Sequence, residues 1–164
     1  MPATLPVPIA FHLPEGWEPA APEEGDAPGV AFAAVLPQSE GFTPNITVDG
    51  MYLSDGTALA DTADASVERL REMTGSVALA DRREVGSAEA PALTQRLTFS
   101  GIVGGLRHDL VQSQVYLCLV DETDPSRRAV IRLALTADEG RHDDVVGDFQ
   151  EFVRSVRPDT EGRA

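Results

Sequence analysis

Between residues 76 and 136 four strand-like segments follow one another, joined by loops too short for crossover connections. Ser76–Val85 is the first, and Gly86-Ser87 breaks it. Ala92–Ser100 follows, with Leu93, Leu97 and Phe99 at one parity and Thr94, Arg96 and Thr98 at the other. Gly101 to Gly105 reads as the turn into Leu106–Val120, and 121–126 (DETDPS) as a tight acidic loop. Arg127–Thr136 alternates most cleanly, with Ile131, Leu133 and Leu135 pointing inward. Such a run can only be an antiparallel meander, and a meander with an apolar side needs a cover.

The covers are two amphipathic helices. Over 57–74, Leu59, Ala63, Val67, Leu70 and Met73 recur at helical spacing, with Asp55 or Thr57 as cap and Gly75 at the end. From about Arg141 to Val156, Val145, Phe149, Phe152 and Val156 make a second stripe, with Asp143 and Asp144 in the first turn. Ahead of the first helix, Ile9–Leu13, Val30–Leu36 and Asn45–Tyr52 read as strands, Trp17 as a cover for the core edge, and 18–28 (EPAAPEEGDAP) as an exposed loop. The class is α+β: a central antiparallel sheet flanked by helices. One domain is expected over 1–164, with flexible ends at about 1–8 and 159–164.

Charge narrows the partners. Thirteen basic residues, all Arg, stand against 27 acidic ones, for a net charge of −14. That disfavours nucleic acid, whose binding rests on clustered cations. It favours a protein partner with a basic surface, with self-association open. No apolar run reaches the ~18 residues of a membrane span. The chain as given shows no signal segment and no lipobox cysteine, so a cytoplasmic location is expected.

Residues able to carry chemistry are scattered. His12, His108 and His142 lie in different elements, without a second ligand at metal spacing. Cys118 sits in the apolar run Val115–Val120, which opposes thiolate formation. Gly101-Ile102-Val103-Gly104-Gly105 fits no phosphate loop, no serine sits in a nucleophile elbow, and the acidic stretches lack EF-hand spacing. Neither an enzyme nor a cofactor site is expected. The polar sets Thr94, Arg96, Thr98 and His108, Gln112, Gln114 suggest a polar sheet face, with Arg96, Gln112 and Gln114 as the binding candidates.

Three segments resemble one family. Phe11-His12-Leu13-Pro14-Glu15-Gly16-Trp17 resembles the opening of the PsbP-like superfamily, most closely its actinobacterial LpqN-type lipoprotein domain. Phe42-Thr43-Pro44-Asn45-Ile46-Thr47-Val48 is similar to that family's strand before the first helix, and Phe149 to Pro158 to its closing helix. The resemblance implies a three-layer sandwich and a binding or adaptor scaffold without catalytic residues. Relatives include a Ran-binding nuclear transport factor, a photosystem II extrinsic subunit and chaperones of secreted bacterial effectors. The expected function is therefore a non-catalytic protein-binding module, an adaptor or chaperone linked to bacterial secretion. The alternative is a small-molecule or lipid carrier with a cavity between sheet and helix.

Overall fold

The computed structural model describes residues 9–20, 31–37, 42–53, 58–86, 91–103, 105–120 and 128–158. Seven strands form one sheet in the order β2(Glu18–Ala20), β3(Phe32–Val35), β4(Asn45–Leu53), β8(Arg128–Asp138), β7(Leu106–Val120), β6(Pro91–Val103), β5(Val77–Gly86). Every neighbouring pair is antiparallel. The meander expected over 76–136 is present as β5–β6–β7–β8. The short pair β1(Ile9–Ala10) and β9(Arg157–Pro158) ties the two ends of the described chain together.

Local details follow from residue chemistry. β6 runs on through Gly101 to Val103, beyond the turn expected there, and Val103 pairs with Leu106. Gly105 takes φ +81°, a conformation glycine adopts without steric penalty. β2 occupies part of the stretch read as a loop: Pro19 sits on an edge strand, where its missing N–H leaves no gap in the ladder. α1(Leu59–Thr74) starts after Ala58, whose N–H donates to the Asp61 carboxylate at 3.2 Å. Asp55 and Thr57, expected as caps, lie outside the described residues. So do the acidic loop 121–126 and the ends 1–8 and 159–164.

The two helices lie on opposite faces. α1 packs over β5, β6 and β7, and α2(His142–Ser155) over β8. Parity in β8 separates the layers: Ile131, Leu133 and Leu135 face α2, whereas Val130, Arg132 and Ala134 face the α1 side. The α2 layer is the larger core, with Trp17, Ile46, Val48, Phe149 and Phe152 joining those three residues. Trp17 is fixed by its indole N–H, which donates to Asp148 on α2 at 3.0 Å. Phe11 stacks edge-on against Phe152 at 5.0 Å between centroids. The α1 layer is smaller and gathers Leu53, Ala63, Leu93, Tyr116, Cys118 and Val130. Cys118 is buried, and burial pushes its thiol pKa up against a smaller opposing pull from Arg128. α1 departs from its expected stripe: Ala63, Ser66 and Val67 are buried, while Met73 is 75% exposed.

Phe152 is fully buried at the centre of the larger core. Phe152→Ala should lower the unfolding free energy by about 3–5 kcal/mol in a denaturant titration. A loss under about 1 kcal/mol would mean that α2 is peripheral to the core.

Candidate functional site

Beneath α1 the sheet carries a polar network beside the small apolar core. The strand register lines up Arg82, Gln95 and Gln114 across β5, β6 and β7, and Tyr116, Arg132 and Asp49 across β7, β8 and β4. Arg82 donates through Nε and a terminal nitrogen to Gln95 Oε1 at 3.0 and 2.7 Å, and through its other terminal nitrogen to Asp64 of α1 at 2.7 Å. Gln95 Nε2 donates to Gln114 Oε1 at 2.7 Å, the oxygen that also accepts from the Tyr116 hydroxyl at 2.8 Å. Gln114 Nε2 donates to Ser66 Oγ at 3.2 Å and to Gln112 Oε1, and Gln112 Nε2 donates to Thr136 Oγ1 at 2.8 Å.

Arg132 closes the series. It grips Asp49 with two nitrogens, Nε lying 2.9 Å from Oδ1, and donates to Ser66 Oγ at 3.0 Å. Burial pulls the guanidinium pKa down, and the Asp49 carboxylate more than reverses this, so it lies above its ordinary value. Tyr116 is raised by burial, against smaller opposing contributions from Ser66 and Arg132. Each polar group has a partner, as burial demands. The network locks α1 to five strands, and a small cavity of about 140 Å³ beside Gln112, Arg69 and Met73 opens from it.

The opposite face differs. α2 packs mainly over β8, with Val115, Leu117 and Leu119 of β7 partly buried against the same core, and β5 and β6 lie at the margin of its cover. There an open groove of about 500 Å³ runs between helix and sheet. Its floor and walls are Val85, Ala92, Thr94, Val115 and Leu117 from the strands and Val146, Phe149 and Val153 from α2. Val85 is 46% exposed on its rim. The charged lining residues are Asp81, Arg96 and Arg154. Asp81 leans to Arg83 at 3.5 Å.

At the groove's side Ser113 Oγ meets His142 Nε2 at 2.8 Å, and His142 Nδ1 stands 3.7 Å from Asp143 Oδ1. The trio has the residue types of a hydrolase triad, yet its geometry is that of a satisfied core histidine. Ser113 lies mid-strand, paired with Arg96 on one side and Leu135 on the other, so the ladders use its backbone groups and cannot spare an N–H for an oxyanion. Asp143 is exposed. His142 is almost fully buried at 2% exposure, and burial first, then Arg96, pushes its pKa below the ordinary value.

The sequence candidates thus separate. Arg96 pairs with Ser113, and Gln114 with Gln95, so Arg96 faces the groove while Gln112 and Gln114 face α1. The three do not share a face, contrary to the expectation of one polar sheet surface. The groove is not legible in the sequence: apart from Thr94 its wall and floor residues are apolar at positions that read as core, and only the relative placement of α2 leaves them open. Among the described residues, no group of three or more His, Cys, Asp or Glu is close enough to hold a metal ion, and no helix is long and apolar enough to cross a membrane.

No family model and no curated protein matches the sequence. Solved structures do match. LpqN of Mycobacterium tuberculosis, described as involved in cell envelope biogenesis, aligns at TM-score 0.63 and 15% identity, over 92% of this chain and 84% of that one. Cyanobacterial PsbP from a Synechocystis species aligns at 0.62 and 16%, over 92% and 86%. The Ran-binding protein Mog1p of Saccharomyces cerevisiae aligns at 0.58 and 16%, over 92% and 89%. The chain has the PsbP-like fold. At these identities the likeness concerns the shared architecture, the same one that the three resembling segments imply. In this PsbP-like chain the groove and the buried network lie on opposite sides of one sheet.

His142 sets a pH signature. Its folded pKa lies below the unfolded value of about 6.5, so its contribution is complete above that pH. As pH falls through about 6.5 the unfolded chain takes up a proton that the folded chain refuses, and stability is lost. The stability advantage of wild type over His142→Gln should therefore shrink between about pH 7.5 and pH 5.5 in paired denaturant titrations. A constant difference would show that His142 titrates alike in both states.

Proposed function

We propose that this chain is a non-catalytic protein-binding module, an adaptor or chaperone of the kind found with bacterial secretion, and that it seats its partner on the open half of the sheet beside α2. The observation that carries this reading is the uncovered strip. A helix about 10 Å across covers about two strands spaced about 4.8 Å apart. One helix therefore leaves much of a seven-stranded face bare. Here the bare part has an apolar floor and a charged rim, the arrangement of an interface core and its border.

Two further points support it. Mog1p, which has this fold, is a Ran-binding protein, so a protein partner has a precedent on the scaffold. Ser113 and His142 serve packing, which accords with a site that binds without reacting. The net charge of −14 steers partners whose overall surface is basic.

The carrier reading is favoured by one observation, the groove volume of about 500 Å³, which falls in the range of small-ligand pockets. Such pockets enclose most of the ligand, whereas this groove is partly open to solvent.

Native mass spectrometry of the chain, isolated under mild conditions from its own cells, separates the two. Protein binding predicts a complex with a defined second chain, depleted at least about tenfold by Val85→Arg with the melting temperature kept. A carrier would instead hold a small-molecule mass. A complex indifferent to Val85→Arg would move the interface off the groove.

A further inference from the structure

Arg96 and Arg154 have an unusual standing in this molecule. Both are exposed, both line the groove, and among the described residues neither side chain makes a hydrogen bond or ion pair. Arg82 and Arg132, by contrast, are each engaged by a carboxylate. In a chain where acids outnumber bases 27 to 13, two free guanidinium groups along one groove form a local reversal of sign. They stand on different elements, Arg96 on β6 and Arg154 on the last turn of α2, with apolar Val115, Leu117, Val146 and Val153 also lining the groove. Asp81, the acidic lining residue, lies opposite Arg96 in register but leans to Arg83.

We infer that the groove seats an amphipathic helix of the partner, whose apolar stripe lies on the Val115–Val146 floor and whose flanking Asp or Glu side chains are taken by Arg96 and Arg154. The inference rests on the protein-binding reading and names the docking element. A helix matches the width of the uncovered strip and would complete the layer that α2 begins. Arginine's planar fork suits bidentate capture of a carboxylate. Beside an apolar floor such contacts are partly desolvated and worth more than in open water. The long-range field of the acidic chain is screened beyond about 8 Å at physiological salt, so contact charges, not net charge, decide the seat. A partner that is basic overall and presents one acid-flanked helix satisfies both.

The test is a selection of randomised peptides, long enough for about four helical turns, displayed against the intact chain at physiological salt. The expected winners carry apolar residues at i, i+3, i+4 and i+7 flanked by Asp or Glu. A synthetic winner should bind at least about tenfold more weakly to the Arg96→Glu, Arg154→Glu double variant, and within a few-fold of wild type to the Lys double variant. The same peptide with Lys in place of its acids should prefer the Glu double variant over wild type. This swap separates a lost contact from a damaged fold. Basic winners, apolar winners without acids, or an absence of winners would overturn the inference. Acidic winners that bind the Glu double variant undiminished would overturn the seat but leave the protein-binding reading standing. If no peptide is enriched and sodium palmitate binds wild type but not the Val85→Arg variant, the protein-binding reading falls as well.

Discussion

Strand β8 is the wall that both halves of the molecule share. It is the middle of the seven strands, paired on both sides, and nearly every residue from Ala129 to Ala137 is buried. Its odd positions complete the large core under α2, and its even positions complete the small core and polar network under α1. A one-residue slip against β4 or β7 would turn Leu133 toward the network and Arg132 into the apolar layer. The bidentate pair between Arg132 and Asp49 resists that slip, because it forms in one register only. Buried ion pairs add little net stability, but breaking one by parting its partners is costly. Its use here is to specify alignment.

The two faces then do different work. Under α1 the polar groups satisfy one another across five strands, with a small cavity beside Gln112 and a wider depression at the helix end, lined by Met73, Thr74 and Arg107. Under α2 the packing is apolar and incomplete, because the helix covers β8 and stops short of the meander's outer strands. The bare strip is a consequence of layer geometry, not of any local motif. The proposed binding surface is on the side where the chain leaves apolar side chains in water, with Arg96 and Arg154 beside them.

Much of this architecture is legible in the sequence. Alternation over Ile131, Leu133 and Leu135 fixes an inward face, and the Val145–Phe149–Phe152 spacing fixes the helix that covers it. The three resembling segments point to the same scaffold that the structure displays. Other features were hidden. Gln112 and Gln114 read as solvated because a single strand cannot reveal that Gln95, Ser66 and Thr136 wait across from them. Arg96 stands out by its parity, yet the face it shares depends on the pairing of Arg96 with Ser113, which hairpin length alone does not determine. Met73 fits the helical stripe but stands in water, since α1 turns the small residues Ala63 and Ser66 toward the sheet. Registers and layer offsets are tertiary facts, and they are what create the groove.

If β8 is the shared wall, its amides cannot open without the whole structure coming apart. Native-state hydrogen exchange measures this residue by residue. The amides of Ile131, Leu133 and Leu135 should exchange with the free energy of global unfolding, while those of edge strand β5 exchange through smaller openings. Exchange of the β8 amides at a free energy well below the global value, with β5 equally or better protected, would contradict the account.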